Sequence, residues 1–87
     1  MAQIVKQNGI TSEVKPKNGK DFKMEELHAI VGGYFECVYL PGKMLMVLDE
    51  EGKIKGKDVN QIATEMAHLN NDYIVGDVLI CKQSEIK

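Results

Sequence analysis

The chain contains no arginine. Arginine's planar fork is the side chain best shaped to grip phosphates and guanine edges, so its absence argues against nucleic-acid recognition. Only two cysteines are present, Cys37 and Cys81, both inside apolar runs and outside any C-x-x-C pair. That usage points to two reduced core thiols in a cytoplasmic setting rather than to a disulfide framework. No apolar run approaches the roughly 20 residues of a membrane span. The opening MAQIVKQNG carries no signal-peptide pattern. Also missing are a nucleophile elbow, a phosphate-binding loop and metal-ligand spacing. His28 and His68 stand apart, and Glu65 with His68 lacks the second motif that would complete a metal site. Neither enzyme activity, nor a cofactor, nor a metal is expected.

What is present suits a small globular unit. The 87 residues are 44% hydrophobic, too apolar for disorder and short enough to close one core, so residues 1–87 read as a single domain. A core of that size leaves a thin stability margin, and self-association is the expected supplement. The net charge of −2 is uneven: residues 1–23 carry five lysines against Glu13 and Asp21, and the remainder is acidic. A solvated, aggregation-resistant edge explains the basic segment better than an anionic partner does.

Along the chain, Gln3 to Gln7 reads as a strand, Asn8-Gly9 as a hairpin turn, and Thr11 to Pro16 as the return strand, giving an N-terminal hairpin over 3–16. A helix follows, with Met24, Leu27 and Ile30/Val31 on its apolar stripe, acids Glu25 and Glu26 in its first turn, and Gly32 as its left-handed cap. His28 falls off that stripe and is expected at the surface. Gly33 to Leu40 is a strand, Pro41-Gly42 a turn, and Met44 to Asp49 the returning strand. Lys53 to Asp58 is too polar and glycine-rich for more than a brief strand or loop. Asn60 is the N-cap of a second helix carrying Ile62, Met66 and Leu69, and Asn70-Asn71-Asp72 ends it. Tyr73 to Lys82 is the last strand, interrupted at Gly76-Asp77. The fold class is α+β in the order β-β-α-β-β-α-β, with a core over 24–82 and two short helices on one face of a mostly antiparallel sheet.

A loop of two or four residues at Pro41-Gly42 would put Phe35, Cys37 and Tyr39 on one face with Met44, Met46 and Leu48. That all-apolar face is the expected core. Tyr34, Glu36 and Val38 would then share the other face with Leu45, Val47 and Asp49. A three-residue loop would scramble the assignment. Glu36 and Asp49 on one half-apolar face are candidates for an interface or pocket. As paired carboxylates they would be a catalytic reading; structural hydrogen bonding is the plainer one. The amides after Asn60 offer an anion site, against the plainer reading of an N-cap.

Glu26-Leu27, Val31-Gly32-Gly33-Tyr34-Phe35-Glu36, Asp49-Glu50-Glu51-Gly52-Lys53, Asn60 with Ala63-Thr64, and Asp72-Tyr73-Ile74-Val75-Gly76-Asp77-Val78-Leu79-Ile80 resemble, in that order, a family of small proteins of unknown function. Its members come from bacteriophages, plasmids and bacteria. Gln61 departs from it, where proline is expected. The resemblance implies the fold class and a mobile-element setting and leaves the activity open. Small phage proteins without catalytic residues commonly work by binding. The favoured expectation is a homo-oligomer that sequesters a nucleotide-derived signal in the bacterial host cytoplasm, blunting a host defence. On that reading Tyr34 stacks on a base, Glu36 and Asp49 accept hydrogen bonds, and Asn60, Thr64, Lys43 or Lys53 hold phosphates. The alternative is an inhibitor that docks on a host protein.

Overall fold

The last strand of the chain lies in the middle of the sheet. In the computed structural model, which describes residues 2–68 and 71–86, five strands run in the order β2-β1-β5-β4-β3. They are β1 (Ala2–Val5), β2 (Thr11–Val14), β3 (Phe35–Leu40), β4 (Met44–Asp49) and β5 (Val78–Lys82), and every neighbouring pair is antiparallel. The helices are α1 (Met24–Val31) and α2 (Gln61–Ala67). The α+β class and the element order are those expected.

The helices, expected together, lie against opposite faces. On one side Leu27 and Val31 of α1 pack with Leu45, Val47, Leu79 and Cys81. On the other, Ala63 of α2 packs with Met46, Leu48, Val78 and Ile80. The physical reason is visible in β4 and β5, whose side chains are apolar almost without alternation and therefore need cover on both faces.

The β3–β4 connection has three residues, Pro41, Gly42 and Lys43, the latter two at φ 77° and 60°. The strand faces are therefore the reverse of the two- or four-residue expectation. Phe35, Cys37 and Tyr39 stand opposite Asp49, Val47 and Leu45, whereas Glu36, Val38 and Leu40 stand opposite Leu48, Met46 and Met44. Glu36 and Asp49 thus belong to opposite faces of the sheet.

Local expectations fare well where a turn residue dictates them. Lys6 and Ile10 close the Asn8-Gly9 turn, and Gly32 caps α1 at φ 87°, its amide bonded to the His28 carbonyl. Glu26 accepts from the amides of Lys23 and Lys17 at 2.7 and 2.9 Å, tying the preceding loop to the helix start. Two details of α1 differ. Met24 is largely exposed. His28, expected at the surface, is half-buried, with its ring edge-on to Tyr34 and Phe35 at 5.5 and 5.7 Å between centroids. Helix α2 ends at Ala67, where His68 takes the left-handed conformation at φ 50°, ahead of the expected Asn70-Asn71-Asp72 stop. Leu69 and Asn70 lie outside the described residues. The last strand begins at Val78 rather than Tyr73, because Gly76 at φ 77° breaks the extended run.

Candidate functional site

Two closed polar assemblies and one open groove stand out among the described residues. The first closed assembly is built on Asp49 at the end of β4. Its carboxylate is about 1% exposed and takes salt bridges from Lys55 and Lys57, both at 2.8 Å. It also accepts the Glu51 amide at 2.9 Å. Burial works against the charged form, yet the two ammonium groups and the amide win and hold the carboxyl at about 2. The same lysines reach the last carbonyls of α1: Lys57 donates to Val31 at 2.6 Å and Lys55 to Gly32 at 3.2 Å. Cations belong there, since the helix C-terminus carries partial negative charge. The close fit explains two glycines. A Cβ on Gly33 would lie 2.6 Å from the Lys55 ammonium, and one on Gly76 would lie 2.7 Å from Lys57 Cδ.

Asn60 is equally committed. It is 1% exposed; its Oδ1 accepts the Ala63 amide, and its Nδ2 donates to the Val5 and Gly76 carbonyls at 2.9 and 2.8 Å. Thr64 donates its hydroxyl to the Asn60 carbonyl and accepts the Ile74 amide, each at 2.8 Å. Asp49, Asn60 and Thr64, expected to face a ligand, are therefore internal fasteners. Lys43 sits at the tip of the β3–β4 loop, among Met44, Lys82 and Gln83 and away from the others. Tyr34 is 66% exposed and rests against His28.

Glu36 and Lys53 do come together. They border a groove of about 330 Å³ on the α2 side of the sheet, floored by Val38, Leu48, Ile74 and Val75. Asp72 and Tyr73 complete its rim. Lys53 is ion-paired to Asp72, and its ammonium lies 4.4 Å from the centre of the Tyr73 ring. The Asp72 contact raises the Lys53 pKa, and the same contact lowers that of Asp72. A cation held between a carboxylate and an aromatic face is a recurring recognition unit. Here the protein's own lysine occupies it. Asp72 and Tyr73 escaped the sequence reading because Tyr73 passed for the start of a strand; the signal was a tyrosine directly before a glycine-broken apolar run.

A wider concavity of about 470 Å³ lies near the end of α1, bordered by Gln7, Lys57, Asp58 and Asp77. Its polar groups are engaged with one another: the Gln7 amide donates to Asp77 at 3.0 Å, and Lys57 belongs to the Asp49 assembly. Thiol chemistry has little footing. Burial, with Glu36 adding, raises the exposed Cys37, and burial chiefly pushes Cys81 up to about 12, so both stay protonated at neutral pH.

Residues 2–86 match the family described as Domain of unknown function (DUF3846). The chain belongs to this family. No curated protein and no solved structure matches it. In this DUF3846 member, Gly32, Gly33, Asp49, Asn60 and Gly76, all among the residues that carried the sequence resemblance, serve the two closed assemblies. They hold the fold, and the groove beside them carries the exposed chemistry.

Proposed function

We propose that the protein is a non-enzymatic binding protein that takes the base or nucleoside part of a nucleotide-derived small molecule in the Glu36–Lys53–Tyr73 groove. The carrying observation is the combination of an apolar floor with a rim of Glu36, Asp72, Tyr73 and Lys53. A flat heterocycle suits the floor and the Tyr73 ring, and an amino group suits the Glu36 carboxylate. Lys53, released from Asp72, is the cation available to a phosphate. Four acids line the groove, Glu36, Asp49, Glu50 and Asp72. With Asp49 already paired to Lys55 and Lys57, three stand against one lysine, so ligands of low negative charge are favoured over polyphosphates. The volume is at the small end of ligand sites, which also favours a single nucleoside unit. The resemblance to phage and plasmid proteins supports sequestration of a host defence signal in the bacterial cytoplasm as the purpose of such capture.

Mass spectrometry of small molecules released by heating the purified protein, followed by calorimetry with nucleosides and nucleotides, tests the reading. Tyr73→Ala should weaken binding about tenfold, the equivalent of ~1.4 kcal/mol. Glu36→Gln should weaken amino-bearing ligands selectively. An empty protein that ignores the whole panel would end the proposal. The alternative, inhibition of a host protein, draws on the exposed aromatic edge of β3 and predicts specific capture of one host protein.

A further inference from the structure

The two edges of the sheet are not alike. Strand β2 is four residues long, and its exposed side chains, Thr11, Ser12 and Glu13, are all polar. Strand β3 is six residues long, FECVYL. Both strands carry one glutamate and are followed by a proline, but β3 offers the longer edge with aromatic residues on it, and its register with β4 is unbroken by a bulge. Among the described residues nothing pairs with its outer side. Tyr39 is 75% exposed and Cys37 is also exposed.

The free backbone groups can be assigned. The Glu50 amide donates to the Tyr34 carbonyl, so the pair at 34 and 50 is a hydrogen-bonded one. Alternation then makes Glu36, Val38 and Leu40 the residues bonded to β4. The opposite side of β4 agrees: Gln83 donates to the Lys43 carbonyl, placing the odd-numbered positions of β4 toward β5. The amides and carbonyls of Phe35, Cys37 and Tyr39 therefore point outward.

We infer that β3 pairs antiparallel with β3 of a second copy about a two-fold axis at Cys37, joining two five-stranded sheets into one. A two-fold axis perpendicular to the sheet keeps like faces together, so outward residues must meet outward residues. Centring on Cys37 pairs Phe35 with Tyr39 of the other copy, Cys37 with Cys37, and Tyr39 with Phe35, about six backbone hydrogen bonds, all made by residues within the strand. Phe35 against Tyr39 is a favourable aromatic cross-strand pair, and it covers the exposed tyrosine. A second copy fits this edge because the outward set is complementary to itself. Glu36 and Val38 lie on the other face of the same strand. If the groove binds its ligand as proposed above, the two grooves then adjoin across the axis.

Light scattering over a concentration series should show twice the single-chain mass, falling to one at dilution. Hydrogen exchange provides the residue-level test: the Phe35, Cys37 and Tyr39 amides should be slow only in the dimer, and Glu36, Val38 and Leu40 slow in both states. Paired Cα atoms about 5.5 Å apart lie within disulfide reach. Copper–phenanthroline should thus give a covalent dimer that Cys37→Ser abolishes and Cys81→Ser retains. Cys37→Lys sets two ammonium groups at the axis and should leave a folded monomer. A wild-type protein of single-chain mass at every concentration, including one that instead captures a host protein on this edge, overturns the inference. So does a dimer unaffected by Cys37→Lys. Both results read assembly alone, so they leave the groove's ligand to be judged by calorimetry.

Discussion

Asp49→Asn should destabilise the protein by about 3 kcal/mol, measured as a fall in the urea midpoint at neutral pH. A carboxyl held at about 2 rather than 3.8 corresponds to roughly 2–3 kcal/mol of preferential stabilisation of the charged form. The amide keeps the shape and removes the charge, leaving Lys55 and Lys57 beside a neutral group. Because both lysines stay partly solvated and keep carbonyl partners, the cost falls at the low end of the about 3–5 kcal/mol for breaking a buried pair. For 87 residues at about 0.05–0.15 kcal/mol each, the whole fold is worth about 4–13 kcal/mol, so the variant loses a large share of it. The sign of the pH dependence follows from the lowered pKa. Stability from Asp49 is complete above about pH 4 and is lost as pH falls through about 2. Wild type and variant should therefore converge on acidification. A gap unchanged between pH 7 and pH 2 would show that the carboxylate's charge is not what holds the assembly.

Asn60→Ala should cost a comparable ~3–4 kcal/mol. It removes an N-cap worth about 1 kcal/mol. It also strands the Val5 and Gly76 carbonyls, at about 1–3 kcal/mol for each buried group left unpaired. Asn60→Asp separates these contributions, because a carboxylate still accepts the Ala63 amide but faces two carbonyl oxygens with no proton to offer. Its pKa should rise on folding. Relative to wild type at the same pH, that variant should be least impaired below about pH 4 and lose ground as pH rises above it. A purely helix-capping role for Asn60 predicts instead that Asn60→Asp matches wild type at pH 7.

The sequence declared its turns and caps and left its neighbours undeclared. Asn8-Gly9, Gly32, Pro41-Gly42 and Asn60 each act through local backbone geometry, and each sits where its chemistry implied. Face assignment failed at one residue: counting Lys43 into the β3–β4 loop moves Asp49 to the opposite side from Glu36. The unalternating MLMVL of β4 is the sequence signal that both faces are covered, and it conflicts with any assignment of a single core face. Lys55 and Lys57 lie in the polar 53–58 stretch, where nothing local marks them, because their partners Asp49, Val31 and Gly32 come together only through the tertiary fold. Glu36 was legible as the odd member of an apolar strand, and it borders the groove. Its companions Asp72 and Tyr73 come from a segment over 30 residues later, which no periodicity connects to it.

The central position of β5 also bears on how the chain is made. As translation proceeds, the N-terminal hairpin and the β3–β4 hairpin emerge early, yet neither strand β1 nor β4 touches the other; both await Val78–Lys82. A nascent chain must hold two half-sheets with apolar faces open until that segment leaves the ribosome. The fold then forms in one late, cooperative step with long-range pairings, the situation in which transient association is most dangerous. Stop codons or cleavage anywhere before β5 would leave two unjoined hairpins, a natural substrate for proteolysis.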